Sequence, residues 1–481
     1  MNRVSSRQIE LIAQTGPWTP ASPVPLWPIG VLALVGLLTP NPLLTAASIG
    51  CVGVFVRLLW IPGEPPAMLF AVLYQWISVV AEVFQADWEG VDINAVAQYA
   101  PTLETTIWLS LIGLTVLSIG LRLGRGRMPT GVLRRVDREQ TIISIPKVAR
   151  LYAVAYAFSI AYPVLIRILP PGRQIFLAAT DVRWVFFFIL TYLVFAKKSQ
   201  WKYFWIPFAI EFIGGIGFFS GFKTVFFFTF IAVLFSDTVR VTFRSAALGG
   251  ALAIVLLGFG LLWTNVKGDF RTFLSQGTST QSVRVSEAAK YRKFVDLVGE
   301  VDAEDLSQSF EPMLERLAYV DIFSAAVDYV PDQRPHTGGE IWGNALSHIF
   351  QPRIFFPGKP PLINDAVRTN RYTGLSFTTK GTSVSMGYMA DSYIDFGPYF
   401  MYIPVLLLGL LWGKMYRFFV FRSSLVLLGM GMGTVVMVQA SKFGMEAVKL
   451  IGSTVMIFLV FVSFLVVADR YAAKWMLTNG Q

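Results

Sequence analysis

Charge is what this sequence has least of for its size. Only 15% of its 481 residues are Asp, Glu, Lys or Arg, where a soluble chain of this length carries roughly 25%. A water-soluble globular fold is thereby excluded. Cysteine is nearly absent: Cys51 stands alone within an apolar run, which rules out an intrachain disulfide and a metal site of the Cys-cluster type. Histidine occurs only at His336 and His348. The chain has no P-loop, no HExxH and no Asp-x-Asp pair, so neither ATP nor a cytosolic nucleotide sugar held through a metal is the expected substrate. No metal site and no cofactor is expected. The basic residues are scattered among loops and form no continuous stripe, which argues against nucleic acid as a partner. The N-terminal stretch lacks the short apolar core of a signal peptide, so insertion is expected from the first transmembrane helix.

What the chain has in abundance is apolar sequence, with 54% hydrophobic residues and a mean hydropathy of +0.57. Runs able to cross a bilayer's hydrocarbon core fall near 24–40, 43–60, 66–86, 104–123, 151–169, 183–197, 203–220, 223–239, 246–263, 397–413, 424–440 and 450–468. The expected fold is an all-α polytopic membrane protein with about twelve transmembrane helices and one large extracytoplasmic helical loop. Residues 1–263 hold nine helices, 264–396 form the loop, and 397–481 hold the last three helices and a tail.

The formal charge of +10 reads first as topology. Arg57, the run from Arg122 to Arg150, Lys197, Lys198, Lys202, Lys414, Arg417 and Arg422 gather on one side. The positive-inside rule then places both termini in the cytoplasm and 264–396 outside. Membrane lipids are expected partners throughout. Within the loop, Leu314, Leu317, Val320, Phe323, Val327 and Val330 share one helical face, with Pro331 as its stop. Ile341, Trp342, Ala345, Leu346, Ile349 and Phe350 form a second apolar face, expected to lie in the membrane interface.

Candidate functional residues are charges placed where charge is costly or against the topological bias. Lys223 lies in GIGFFSGFKTVFFFTF with Glu211 on the preceding helix, and an ionisable group within a span is paired or functional. Arg173 and Arg183 flank an outer loop, where arginine matches phosphate oxygens bidentately. Asp181 is a neighbour able to neutralise Arg183. Arg316 sits in ERLAYVD, where Asp321 or Glu315 can satisfy it. From His348 to Gly397 the chain packs Arg353, Lys359, Arg368, Arg371 and Lys380 between prolines and aromatics, with Asp365 as the one nearby acid. Four prolines (Pro352, Pro357, Pro360, Pro361) exclude a regular helix there. The candidate bases are His336, His348, Asp391 and Asp395. Gly429, Gly431 and Gly433 alternate mid-span, a pattern of close helix packing rather than nucleotide binding.

These features together resemble the O-antigen and exopolysaccharide repeat-unit polymerases of bacterial inner membranes. The resemblance is carried by the Ser220–Lys223 break, RLAYVD (316–321), PRIFFPGKP (352–360), the pair Arg368/Arg371 and SMGYMADSYIDFG (385–397) leading into a helix. It implies a metal-independent glycosyltransferase that joins two undecaprenyl-diphosphate-linked oligosaccharides at the outer face of the membrane. Arg173, Arg183 and Lys223 would then meet the lipid diphosphate, with Arg316 and the 353–380 cations closing over it. Tyr372, Phe377, Tyr388 and Tyr393 would stack on sugars. The implied partners are a chain-length-regulating co-polymerase and a flippase. A glycan ligase using the same donor, or a transporter of the lipid-linked intermediate, is the alternative reading.

Overall fold

The computed structural model describes residues 25–218, 221–236, 243–278, 283–351, 356, 358, 362–378 and 384–477. Among them the chain is all-helical, with no strand. Seven stretches are long and apolar enough to cross a membrane: Pro42–Leu59, Ala67–Glu89, Leu103–Arg125, Ile145–Ile168, Arg173–Lys197, Tyr402–Arg422 and Ala447–Val467. Trp27–Gly36, Lys223–Ser236 and Val426–Ala440 are shorter apolar helices. The protein is a membrane protein of helical bundle type, with seven spans of full length among the described residues.

Some apolar runs take bounds other than those expected. The run at 203–220 folds as Lys202–Gly214, 13 residues, or about 20 Å of helix at 1.5 Å per residue, short of a ~30 Å core. Gly214 and Gly215 end it. The run at 246–263 is part of a 33-residue helix, Phe243–Ser275, that continues well into the stretch read as a loop. The run at 397–413 is shifted, because Gly397 (φ 71°, ψ −177°) and Pro398 interrupt the Tyr388–Phe400 helix. The span proper is Tyr402–Arg422.

Backbone-to-backbone contact fixes the central pair. Gly120-xxx-Gly124 on Leu103–Arg125 faces Gly409-xxx-Gly413 on Tyr402–Arg422. A Cβ on Gly409 would lie 2.5 Å from the Leu117 carbonyl oxygen, and one on Gly413 2.4 Å from that of Leu121. Small residues at such a crossing let dispersion replace the hydrophobic driving force that lipid does not supply. The pairing of 120 with 409 and 124 with 413 makes the two helices parallel. Gly429 and Gly433 meet Phe419 and Tyr416, and Gly431 meets Val185, so the alternating glycines pack against two different helices.

Buried polar side chains tie the helices together at two levels of the bundle. At one end Glu64 and Arg125 form a buried pair. Arg417 there donates to the Arg125 carbonyl at 3.2 Å. Glu139 accepts the Val426 and Leu427 N–H groups, both at 2.8 Å, satisfying the orphan donors of the Val426–Ala440 helix. At the opposite end Gln75 donates to the Ala440 carbonyl at 2.9 Å and accepts from Tyr388 Oη at 2.8 Å.

The 264–396 stretch is mostly helical. Its expected long amphipathic helix is two, Phe310–Leu317 and Tyr319–Tyr329, with Val320, Phe323 and Val330 fully buried. Thr102 Oγ1 donates to the Ser324 carbonyl at 2.8 Å and the Gln98 N–H to Asp321 at 3.1 Å, pinning this pair to the head of Leu103–Arg125. The Glu340–Phe350 helix packs along Ala447–Val467 through buried Ile341, Trp342 and Ala345. Leu346 and Phe350 of the expected apolar face stay exposed.

Candidate functional site

The charged residues at the Tyr388 end of the bundle fall into two clusters, joined by the turn at residues 441–446 between the last two apolar helices. The first cluster is built by three elements. Asn364 caps the Asp365–Thr373 helix, accepting the Ala366 N–H at 2.8 Å. That helix supplies Asp365 and Arg368. Its position is set by Thr369 Oγ1, which donates to the Val384 carbonyl at 2.9 Å, and by Asn370, which bonds both main-chain groups of Phe377 at 2.8 Å. The Tyr388–Phe400 helix supplies Asp391. The turn and the first residues of Ala447–Val467 supply Glu446 and Lys449.

Arg368 lies between two acids. One guanidinium nitrogen pairs with Asp391 Oδ1 and the other lies 3.4 Å from Glu446 Oε2. Asp391 Oδ2 accepts the Ala447 N–H at 2.8 Å, so its carboxylate also caps a 21-residue helix where the dipole favours negative charge. Lys449 grips both oxygens of Asp365. Glu446 is 2% exposed, and its Oε1 has no hydrogen-bond partner among the described residues. Burial, with Asp391 and Asp365 close by, pushes its carboxyl up to about 7 against the pull of Arg368 and Lys449.

The second cluster surrounds Arg183. Its Nε lies at ion-pair distance, 3.1 Å, from Glu211 Oε1, and that oxygen accepts a hydrogen bond from Tyr152 Oη at 3.1 Å. Its guanidinium carbon sits 5.1 Å from the centre of the Trp184 ring. Lys442, on the 441–446 turn, is within electrostatic reach of Asp181 and Lys223 and donates to Gln439 at 2.6 Å. Three residues separate Lys442 in this cluster from Glu446 in the other.

The expected site residues distribute unevenly. Asp391 is fully buried with both oxygens engaged, and it anchors Arg368 and the following span. Asp395 likewise caps Glu340–Phe350, accepting the Ile341 and Trp342 N–H groups at 3.0 and 2.8 Å. His336 Nδ1 lies 3.2 Å from the Ile394 carbonyl and its ring meets Tyr393 edge-on, fastening the 331–339 stretch to the same helix. His348 lies half-buried in the last turn of Glu340–Phe350. Arg173, Lys223 and Arg371 are exposed. Arg353, Lys359, Lys380, the prolines between 352 and 361 and the side chain of Arg316 lie outside the described residues.

Sequence reasoning passed over Glu446, and over Lys442 and Lys449 as site residues. Their signal was modest but present: three charges within eight residues, SKFGMEAVK, between two strongly apolar runs. The arrangement can hold an anion at the edge formed by Arg368 and Lys449, whose side chains are 13% and 38% exposed. It also offers a carboxylate with an open oxygen beside that edge.

No curated protein and no solved structure matches the chain. Residues 122–445, more than half of it and including Arg183, Lys223, Arg368 and Asp391, match a family described as a domain of unknown function. The chain belongs to that family, DUF8712.

Proposed function

We propose that this protein polymerises undecaprenyl-diphosphate-linked oligosaccharide repeat units at the outer face of a bacterial inner membrane. It acts as a glycosyltransferase with both termini cytoplasmic. The observation that carries the reading is the position of the cations. Arg368 and Lys449 meet where Ala447–Val467 begins, Lys442 lies on the turn before it, and the helix of Asp391, the partner of Arg368, leads into Tyr402–Arg422. Each of those spans has 21 residues, about 31 Å of helix, enough to cross a hydrocarbon core once. Their opposite ends carry Arg417, Arg422 and Arg470, the side that the positive-inside rule assigns to the cytoplasm. The 441–446 turn then stands at the level of the outer headgroups, where the diphosphate of a polyprenyl carrier must lie. Cations fixed there stabilise the charge that develops on a departing diphosphate, and the donor needs neither ATP nor a nucleotide. The sequence resemblance points the same way.

The test is the glycan phenotype of a deletion strain, fractionated by leaflet and by carrier. Single repeat units accumulating on the outer leaflet support polymerisation. An unchanged polymer ladder refutes it. Finished polymer left on its lipid carrier makes the protein a ligase, and repeat units trapped on the inner leaflet make it a transporter.

A further inference from the structure

Ala447–Val467 stops at Ala468, whose φ of −117° departs from helical values, and a second helix, Asp469–Met476, follows. Both ends of this helix are tied to the starts of other apolar helices. Asp469 accepts the Ser424 N–H at 2.9 Å, and also the Ser424 hydroxyl, just ahead of Val426–Ala440. The Met476 carbonyl accepts the Ser144 N–H at 2.8 Å, just ahead of Ile145–Ile168. The helix, about 12 Å long at 1.5 Å per residue, therefore runs across the end of the bundle and leaves an elbow at Ala468. Its two faces differ. Asp469, Ala472, Ala473 and Met476 are buried, whereas Arg470, Tyr471, Lys474 and Trp475 are exposed. Cations and aromatics on the open face of such a helix belong at headgroup level. In the elbow, Arg470, Tyr471 and Lys474 line a cavity of about 600 Å³ together with Leu465, Val466 and Val467 from the last turn of the span. One wall is apolar and the other carries two cations one helical turn apart. Neither cation has an acidic partner among the described residues, and the adjacent Asp469 is engaged by Ser424.

We propose that this elbow binds one anionic phospholipid of the adjoining leaflet, a phosphatidylglycerol. Arg470 offers its guanidinium fork to the phosphate oxygens and Lys474 supplies a second positive charge. One acyl chain lies along Leu465, Val466 and Val467, the last two of which are 81% and 70% exposed. The headgroup follows from charge. Phosphatidylethanolamine would set a third cation beside Arg470 and Lys474, whereas a glycerol headgroup brings only hydroxyls, so like-charge repulsion selects against the zwitterionic lipid. The cavity joins the last span to a helix fastened at Ser424 and Ser144, so the bound lipid braces three helices at once. The site is separate from the Arg368 and Arg183 clusters, at the opposite end of Ala447–Val467, and it does not depend on the polymerase reading.

The experiment titrates delipidated full-length protein, in a neutral detergent, with palmitoyl-oleoyl phosphatidylglycerol or the matching phosphatidylethanolamine, and counts bound lipids by native mass spectrometry. The first phosphatidylglycerol should bind about tenfold more tightly than the first phosphatidylethanolamine. Arg470→Gln/Lys474→Gln should erase that preference. Arg134→Gln/Arg138→Gln removes two exposed cations of the same spacing from the same end of the bundle and should leave it intact. Val466→Trp keeps both cations but crowds the cavity, and should weaken phosphatidylglycerol by a similar factor. Equal affinity for the two lipids in the wild type overturns the proposal, and so does a preference that survives Arg470→Gln/Lys474→Gln. An equal loss in Arg134→Gln/Arg138→Gln also overturns it, since the attraction would then belong to the whole charged face. Phosphatidylglycerol held by Val466→Trp as tightly as by the wild type removes the cavity as its seat. The residues changed are exposed, so each variant should fold.

Discussion

Asp391→Ala isolates what holds the site together. The substitution removes the carboxylate that pairs with Arg368 and caps the first N–H of Ala447–Val467. Breaking a buried ion pair by deleting one partner costs about 3–5 kcal/mol, because the other charge is left uncompensated. Here the low end applies, since Glu446 remains 3.4 Å from Arg368 and can take a larger share of it. The lost cap adds about 1 kcal/mol, so about 4 kcal/mol is the expected total. At 1.4 kcal/mol per factor of ten, the unfolded fraction rises several hundredfold. The assay is thermal unfolding of detergent-purified protein followed by size-exclusion chromatography, with membrane abundance measured in parallel. Asp391→Asn keeps an acceptor for the Ala447 N–H and should recover the capping share only. An alanine variant as stable and abundant as the wild type would refute the argument, since it would mean that Arg368 has no need of this partner.

Three further outcomes are expected. Gly409→Val sets a side chain 2.5 Å from the Leu117 carbonyl, so it should separate Tyr402–Arg422 from Leu103–Arg125 and greatly lower the amount of folded protein, while Gly50→Ala, with open space around it, should not. Lys223→Ala and Arg371→Ala alter exposed cations and should abolish polymer at normal protein abundance, as read from glycan gels; wild-type polymer would make both structural or idle. Glu446 gives a stability term of definite sign: its carboxyl is raised from 4.5 to about 7 on folding, so between those values the folded state binds the extra proton and stability falls as pH rises, levelling off above 7. The difference in melting temperature between wild type and Glu446→Gln should therefore change across pH 4.5–7 and stay constant above it, and a difference that is constant throughout would contradict the assignment.

The helices were largely legible in the sequence because each span carries its own signal. Ala67–Glu89, Leu103–Arg125 and Ala447–Val467 begin and end within a few residues of the apolar runs that announced them. Hydropathy does not register where a chain turns, however, and 203–220 scored as a span although Gly214 and Gly215 break it after about 20 Å. The site was legible by element and not by partner. Arg368 looked under-neutralised because its neighbours in sequence offer only Asp365. Its acids are Asp391, 23 residues on, and Glu446, 78 residues on, and only the packing of three elements brings them together. Nor does anything local to Asp391 say that a helix 56 residues away will place its first N–H on that carboxylate.

Asp391 and Asp395 lie one helical turn apart on a single helix, and each ends on the N-terminus of a different neighbour: Ala447–Val467 for the first, Glu340–Phe350 for the second. The two caps work as twin hinge pins on one leaf. Any displacement of Glu340–Phe350 must pass through this turn to reach the carboxylates beside Arg368, so the stretch before the last spans and the charged cluster are mechanically a single part.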